Sequence, residues 1–449
     1  MVHTFSALGC NIAVDVNSGA VHVLDDLSYQ LLAAAGEDPS AMPELPGVDP
    51  REAQTAWDEL MALKEEGLLY SPMDYVDPET AVPKDAPVKA LCLHVSHDCN
   101  LRCKYCFAST GDFGTGRKIM PPETGMRAID WVVERSGSRH NIEVDFFGGE
   151  PLMAMDTVKA VVDYARAHEQ EWDKHFRFTM TTNGMLLTDE NIAYFNENMD
   201  NCVLSLDGRK EVNDRNRVTA GGKGSYDLIV PKFLKLISRR DPQKDYYVRG
   251  TFTRDNLDFS KDVLSIADLG VRSISVEPVT ADDADPYSLR EQDLASIFAE
   301  YENLAKIMLK RKDFQFFHFN VDLTQGPCVI KRMRGCGAGC EYVAVTPDGE
   351  LYPCHQFVGK EEYRMGSVFT DEFDMDIANT FAGLNIYTRE DCQNCWARFY
   401  CSGGCSAANL NANGDMRKPY RIGCEMQRKR LECAIAMRAI EAGVAEFSE

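Results

Sequence analysis

The fold of this chain is decided by one short stretch, Cys99-Asn100-Leu101-Arg102-Cys103-Lys104-Tyr105-Cys106. Its C-x3-C-x2-C spacing places three thiolates on one loop, within reach of three irons of a four-iron, four-sulfur cluster. No fourth cysteine follows closely, so one iron is left open. An open iron can chelate the amino and carboxylate groups of S-adenosylmethionine (SAM), and one electron passed to the sulfonium then releases a 5′-deoxyadenosyl radical. Zinc is the competing interpretation, but structural zinc usually takes four protein ligands.

This stretch follows the first of six predicted strands that alternate with helices over residues 88–320. The strands are predicted at Lys89–Ser96, Asn141–Gly149, Phe176–Gly184, Asn201–Gly208, Tyr246–Thr253 and Val271–Val279. Helices are predicted between them, among others at Thr124–Arg135, Val158–Arg166, Tyr226–Ser238 and Ala295–Lys310. This alternation predicts an α/β fold with a parallel sheet and right-handed crossovers. We expect a partial (β/α)6 barrel with its site residues at the carboxyl ends of the strands.

Short motifs stand at the ends of the next three strands: Gly148-Gly149-Glu150-Pro151, Thr182-Asn183-Gly184 and Ser205-Leu206-Asp207-Gly208. Glycines let the backbone come close to a ligand, and Glu150 offers an acceptor to an ammonium group. Ser205 can hydrogen-bond SAM, and Asp207 either accepts from a substrate or stabilises a turn. The predicted site therefore spans four strand ends.

Together these motifs resemble the radical SAM superfamily, in which this cysteine spacing at the end of the first strand is the defining feature. The resemblance implies that Cys99, Cys103 and Cys106 hold the SAM-cleaving cluster, and that Tyr105 packs on the adenine. Arg217 and Arg249 are candidates for the SAM carboxylate because a guanidinium fork suits that group, although either can instead form a surface ion pair. The full set of expected SAM-binding residues is Tyr105, Gly148, Gly149, Glu150, Pro151, Asn183, Ser205, Arg217 and Arg249.

The cysteines are concentrated in the last third of the chain. Of 16 cysteines, six precede residue 328 and ten lie between Cys328 and Cys433. The N-terminus lacks a secretion signal, so we expect a cytoplasmic protein whose cysteines are metal ligands or free thiols rather than disulfides. Cys10, Cys92, Cys202 and Cys433 stand in apolar surroundings, which predicts buried thiols.

The clearest tail pattern is Cys392-x2-Cys395-x5-Cys401-x3-Cys405 followed by Cys424, with Cys336 and Cys354 upstream. It resembles the SPASM domain, which implies two auxiliary four-iron clusters in addition to the SAM cluster. By that resemblance the outer cluster is held by Cys392, Cys395, Cys401 and Cys424, and the inner one by Cys336, Cys354 and Cys405. The fourth inner ligand is Cys328, Cys340 or no protein residue at all. Zinc is the alternative metal, since C-x2-C pairs also bind zinc.

Two further segments flank the barrel. Residues 1–75 predict a winged-helix-like module with strands at Phe5–Val16 and Ala20–Leu24, a helix near Leu27–Ala35 and a second helix capped by Asp49. Residues 76–87 are rich in proline and charge and predict a linker. Residues 321–449 form the cysteine-rich domain, which a helix near Glu425–Ala442 closes.

At the level of the whole chain, the sequence resembles the maturases of SCIFF peptides, which are cysteine-rich ribosomal precursors. The resemblance rests on residues 336–339, 352–357, 395–405 and 418–420. It implies that a cysteine sulfur of the peptide is joined to a carbon of another residue, often threonine, and that the inner cluster binds the donor thiolate at an open iron. It further implies that the N-terminal module pairs its sheet edge with the precursor's leader peptide, and that a flavodoxin or ferredoxin is the reductase.

Alternative functions stay open at this point. Another SPASM-type enzyme oxidises a protein cysteine or serine to formylglycine, and another epimerises peptides. A cluster-bearing electron-transfer or peptide-binding protein without SAM chemistry is the alternative of a different class. The formal net charge of -22 argues against a nucleic-acid partner. Since no apolar run has the length of a membrane span, we expect no membrane-spanning segment.

Overall fold

The computed structural model describes residues 1–37, 39–73, 86–282, 284–323 and 333–445. Cys328 and nearly all of the predicted linker lie outside these residues. Of the helices within them, none is both long enough and apolar enough to cross a membrane.

The N-terminal module is a three-stranded antiparallel sheet in the order β1-β2-β3, followed by two helices. Its elements are β1 (Val2–Ala7), β2 (Cys10–Asp15), β3 (Val21–Leu24), α1 (Asp26–Ala35) and α2 (Pro50–Glu65). The prediction of one strand over Phe5–Val16 is wrong, because Leu8 and Gly9 have φ of 53° and 83° and reverse the chain in a two-residue turn. The Asp49 side chain caps α2 by accepting from the backbone N–H of Arg51, as expected. The winged-helix-like classification of this module stays a prediction.

The predicted parallel sheet is confirmed, with the six strands side by side in chain order. They are β4 (Ala90–Ser96), β5 (Asn141–Gly148), β6 (His175–Thr182), β7 (Asn201–Ser205), β8 (Asp245–Phe252) and β9 (Ser273–Pro278). The helices of this region are α3 (Pro122–Arg135), α4 (Met155–Trp172), α5 (Asp189–Asn198), α6 (Lys210–Asn216), α7 (Tyr226–Arg239), α8 (Phe259–Asp268) and α9 (Leu294–Lys310). All seven residues of β4 are buried, so the strand that leads into the cysteine loop lies in the core.

Sequence reasoning did not foresee that the sheet extends beyond these six strands at both edges, on one side with strands of the cysteine-rich region. On one edge, β10 (Gln315–Phe316) pairs in parallel with β9. On the other, β11 (Tyr342–Val345) pairs in parallel with β4 and continues into the antiparallel strands β12 (Glu350–Tyr352) and β13 (Gly366–Ser367). The segment that carries Cys354 follows β12 and is therefore joined through β11 to the strand that leads into the first cysteine motif.

The remaining described helices complete the cysteine-rich region. They are α10 (Met375–Ala382), α11 (Arg398–Cys401), α12 (Ser406–Asn413) and α13 (Arg421–Glu441). The closing helix α13 packs against α9 and contacts β1, so the two ends of the chain meet. At this contact the ring of His3 stacks on Trp396 with centroids 4.1 Å apart, and its Nε2 lies 3.1 Å from Glu432 Oε1.

Candidate active site

A cavity of about 220 Å³ opens at the carboxyl ends of β4 to β9. It is lined by every residue that the sequence assigned to the SAM cluster or to SAM: Cys99, Cys103, Cys106, Tyr105, Gly148, Gly149, Glu150, Pro151, Asn183, Ser205, Arg217 and Arg249. Strand ends far apart in the sequence thus meet in one cavity.

The cysteine loop is held by backbone hydrogen bonds to the last residue of α6 and to the segment that follows it. The N–H of Arg102 donates to Val218 O at 2.7 Å, and the N–H of Lys104 donates to Asn216 O at 3.1 Å. Burial, followed by the carboxylate of Glu150, raises the pKa of the Cys99 thiol to about 11. Burial also raises the pKa of Cys103 to about 12. Binding iron to these thiols must therefore release protons.

Gly148 and Gly149, at the end of β5, leave no room for a side chain because the backbone of β4 and of the residues after it lies against them. A Cβ on Gly148, whose φ is 123°, would lie 2.2 Å from Ser96 O, and one on Gly149 would lie 2.2 Å from Asp98 O. The close approach is therefore to the backbone at the end of β4, which leads into the cysteine loop. Only glycine allows the two strand ends to touch here.

Glu150 is fully buried and joins two strand ends. Its carboxylate accepts hydrogen bonds from Thr182 Oγ1 at 2.7 Å, from Asn183 N at 2.8 Å and from Leu152 N at 3.0 Å. Burial raises the pKa of this carboxyl to about 7. The amide of Asn183 lies 3.6 Å from Cys99 Sγ, so the third strand end also contacts the cysteine loop.

Asp207 takes a role that the sequence left open. It is fully buried and accepts from Tyr105 Oη at 2.7 Å, from Arg217 Nε at 2.9 Å and from Thr251 N at 3.1 Å. It therefore fixes Tyr105 and Arg217 against each other at the cavity wall. Among the described residues, Arg217 bonds Asp207 through Nε and its terminal nitrogens have no carboxylate partner, so they can receive an anion.

Arg249 faces the cavity next to an acid that sequence reasoning missed. Its guanidinium forms an ion pair with Glu277, which also lines the cavity. Glu277 and Ser275 are polar positions two apart in the otherwise apolar end of β9, and this alternation is the signal that could have identified a cavity-facing acid. His355 and Gln356, which follow Cys354, line the same cavity and bring the cysteine-rich region to its wall.

The predicted inner-cluster cysteines surround a second, small cavity. Cys336, Cys354 and Cys405 line it, and its described lining does not include Cys340. The Cys340 thiol is buried, donates to Gly337 O at 3.3 Å and receives a contact from Arg334 at 3.6 Å. Three thiols therefore converge here, while the Cys340 thiol contacts Gly337 and Arg334, which themselves line the cavity.

The predicted outer-cluster cysteines converge as well. Cys392, Cys395, Cys401 and Cys424 all line one cavity of about 540 Å³. Burial, followed by the nearby Cys401, Cys424 and Cys395, raises the pKa of Cys392 to about 12. Four neighbouring thiols, with no histidine among the described residues that line the cavity, fit an iron–sulfur cluster with all its irons held by protein.

The spread of these thiols suits clusters better than single metal ions. In the part of the chain that the structure describes, no three His, Cys, Asp or Glu side chains stand close enough to hold one ion. The ligands of a cluster bind separate irons and so lie further apart than the four ligands of one zinc. The other four described cysteines outside these cavities, Cys10, Cys92, Cys202 and Cys433, are buried, as predicted.

Comparisons with known proteins agree with this architecture. Residues 93–241 match the radical SAM superfamily, and residues 336–396 match the SPASM iron–sulfur cluster-binding domain. The cysteine-type anaerobic sulfatase-maturating enzyme of Clostridium novyi is 25% identical over 69% of this chain and 85% of its own length. The mycofactocin maturase MftC of Mycolicibacterium smegmatis is 26% identical over 73% of this chain and 80% of its own length.

A solved structure of native anSMEcpe with bound AdoMet and Cp18Cys peptide has the same fold. It superposes with a TM-score of 0.65 at 19% identity, covering 80% of this chain and all of the other. The chain therefore carries a radical SAM domain followed by a SPASM domain, and these two domains imply iron–sulfur clusters and SAM as cofactors.

Proposed function

We propose that this radical SAM and SPASM chain is a peptide maturase that forms thioether crosslinks in a ribosomally made, cysteine-rich precursor. The observation that carries the proposal is the inner cavity, where Cys336, Cys354 and Cys405 converge without Cys340. A four-iron cluster held by three cysteines has one iron without a protein ligand, and a thiolate of the substrate can bind there. His355, the residue after Cys354, lines the SAM cavity, so that iron would lie beside the site of radical formation.

The N-terminal module supports a substrate with a leader peptide. A groove of about 1230 Å³ runs between β3, α2 and the closing helix α13. Within the described residues β3 pairs only with β2, so its outer edge can accept an added strand. Val23 on β3 lines the groove and is 37% exposed, which offers an apolar contact to such a strand.

Forming one crosslink removes two hydrogen atoms from the peptide. The S–H bond of the donor cysteine and a C–H bond of the acceptor break, and one S–C bond forms. One hydrogen atom goes to the 5′-deoxyadenosyl radical, one proton leaves the thiol, and one electron is left over. When bound, the clusters supply the electron that splits SAM and accept the electron that remains.

The chain's own residues prepare this chemistry. Asp207 orients Tyr105 and Arg217, and Glu150 ties the second and third strand ends together. We assign three [4Fe–4S] clusters: one on Cys99, Cys103 and Cys106, one on the inner cysteines and one on the outer cysteines. A small reductase of the flavodoxin or ferredoxin kind completes the system.

The test is mass spectrometry of the precursor encoded beside this chain, after anaerobic incubation with reconstituted enzyme, SAM and reductant. We expect a loss of two hydrogens per crosslink, fewer thiols open to alkylation, and 5′-deoxyadenosine. If 5′-deoxyadenosine forms while the peptide mass stays unchanged, thioether formation is wrong and epimerisation gains support. A chain that yields no 5′-deoxyadenosine with any reductant would instead be an electron-transfer or binding protein.

Formylglycine formation is the second candidate, because the relatives include sulfatase-maturating enzymes. The same incubation with a sulfatase-derived peptide separates the two proposals. Oxidation of its cysteine or serine to an aldehyde, with the precursor unchanged, would favour this candidate.

A further inference from the structure

We propose that Arg389 is a positioning residue whose single positive charge stabilises the reduced state of both auxiliary clusters. The inference rests on the proposed function, because it requires one cluster on the inner cysteines and another on the outer cysteines. It adds to that function a cation in the wall between the two cavities, where it can compensate an electron on either side.

The short turn at residues 402–404 joins the outer cysteine Cys401 to the inner cysteine Cys405. Its three residues all have a positive φ, between 61° and 83°. A Cβ on Gly403 would lie 2.8 Å from Arg389 Cδ and 3.3 Å from Arg389 Nε, so the turn packs directly on the arginine. Arg389 thus occupies the space that a side chain at position 403 would need.

Hydrogen bonds hold the Arg389 guanidinium between the two cavities. Nη1 donates to Gly403 O and, at 3.0 Å, to Gly404 O, and Nη2 donates to Ser406 Oγ at 2.7 Å. Gly403 lines the outer cavity, whereas Gly404 and Ser406 line the inner one. The guanidinium therefore lies in the wall that separates the two sets of thiols.

Arg389 is a buried cation without a carboxylate partner among the described residues. It is 2% exposed, and none of the ion pairs between described side chains includes it. Its Nε also has no hydrogen-bond acceptor within the described part of the chain. Arg334 and Arg428, which line the inner and outer cavities, are instead paired with Glu341 and Glu425. Because an unpaired charge is costly to bury, Arg389 requires negative charge nearby.

The thiols of both sets supply that negative charge. Burial lowers the pKa of the Arg389 guanidinium, and four neighbouring thiols oppose this shift, two from each set: Cys392, Cys405, Cys401 and Cys336. A four-iron cluster with thiolate ligands is an anion, and each electron that it takes up adds a negative charge. Since nearby charge and hydrogen bonds to the sulfurs set the potential of a cluster, one cation between two clusters favours the reduced state of both.

The experiment compares Arg389→Gln with Arg389→Lys in the reconstituted holoenzyme, and Arg417→Gln is the control. Gln keeps amide donors for the turn and removes the charge, whereas Lys keeps the charge and loses the planar fork. Arg417 is exposed, and its carbonyl accepts from the N–H of Glu390 at 3.1 Å, so the control removes an equal charge beside the same segment. The readouts are the iron content and the midpoint potential of each cluster, from potentiometric titration followed by electron paramagnetic resonance.

We expect Arg389→Gln to make reduction of both auxiliary clusters about tenfold less favourable, which lowers each midpoint by about 59 mV for one electron. Arg389→Lys should stay close to the unmodified chain, and Arg417→Gln should match it because solvent screens an exposed charge. The SAM cluster is the internal reference, and its potential should not move in any variant. If Arg389→Gln loses iron, both auxiliary clusters should be lost together and both should be kept in Arg389→Lys.

Three results would overturn the shared role of Arg389: unchanged midpoints in Arg389→Gln, a shift or loss confined to one auxiliary cluster, or an equal change in Arg389→Lys. An unmodified chain that holds only one auxiliary cluster would contradict the cluster assignment, and the shared role with it, before any substitution is made. If the unmodified chain holds all three clusters but forms no crosslink, the proposed function is wrong, while the potentials still decide the role of Arg389.

Discussion

The hydroxyl of Tyr105 donates to the carboxylate of Asp207 at 2.7 Å, joining the cysteine loop to the end of the fourth barrel strand. The same carboxylate pairs with Arg217, whose guanidinium lies 5.6 Å from the Tyr105 ring. Two residues expected to contact different ends of SAM are therefore oriented by one buried acid.

Replacing Asp207 by Asn should weaken SAM binding by about tenfold or more, because Arg217 loses its buried counter-charge. The same loss should lower the free energy of unfolding by about 3 kcal/mol. Tyr105→Phe, which removes one hydrogen bond and leaves the ion pair, should have the smaller effect. Calorimetric titration of each variant holoenzyme with SAM measures the two affinities. Equal SAM affinities in Asp207→Asn and the unmodified chain would contradict the assigned role.

Gly148→Ala should prevent assembly of the SAM cluster while the outer cluster still forms. The added Cβ would lie 2.2 Å from Ser96 O, and the backbone that leads into the cysteine loop must move. Iron content and the electron paramagnetic resonance spectrum of the reduced protein provide the measurement. Gly221→Ala is the control, because its Cβ would meet nothing closer than 3.9 Å; an unchanged iron content in Gly148→Ala would refute the steric argument.

Cys340→Ala should keep the iron content of the chain, whereas Cys354→Ala should lose the inner cluster. The reason is that the Cys340 thiol is bonded to Gly337 O and lies outside the lining of the inner cavity. Iron analysis with Mössbauer spectroscopy distinguishes the variants. Loss of a cluster from Cys340→Ala would make Cys340 a ligand and remove the open iron on which thioether formation depends.

Val23→Asp should weaken binding of a labelled leader peptide by about tenfold, because it places a charge on the exposed face of the edge strand β3. Fluorescence anisotropy measures the affinity. Gln54→Asp is the control, since this residue is exposed on α2 but does not line the groove. The groove would not be the leader site if both variants bind as tightly as the unmodified chain.

Asn17→Leu should make the outer cluster easier to extract with a chelator. Arg398, buried beside Cys395 and Cys401, donates to Asn17 Oδ1 at 2.6 Å and to Gln393 O at 3.0 Å. Removing the buried acceptor should lower the stability of this contact between the N-terminal module and the cysteine-rich region by about 1–3 kcal/mol. Asn11→Leu, whose side-chain contacts stay within the N-terminal module, should release iron at the unmodified rate.

The barrel strands and the residues at their ends were predictable because both signals are local. Apolar runs such as Lys89–Ser96 and motifs such as Gly148-Gly149-Glu150-Pro151 are contiguous, and a parallel sheet brings the carboxyl ends of its strands to one edge. The turn at Leu8 and Gly9 was missed because Leu rarely adopts a positive φ, so the apolar alternation seemed to continue through it. Glu277 was missed because the strand motifs were sought at the ends of the first four strands, although the alternation of Ser275 and Glu277 in β9 carried the signal.

The sequence by itself determined the parallel α/β fold, the SAM-cluster loop and the division of the cysteines into groups, since each depends on the spacing of neighbouring residues. Only the tertiary structure decided that β11 joins the barrel sheet, that Asp207 orients Tyr105 and Arg217, and that the Cys340 thiol contacts Arg334 and Gly337 O. The first two are contacts between residues far apart in the chain, and packing of the whole core, rather than any local pattern, sets their geometry.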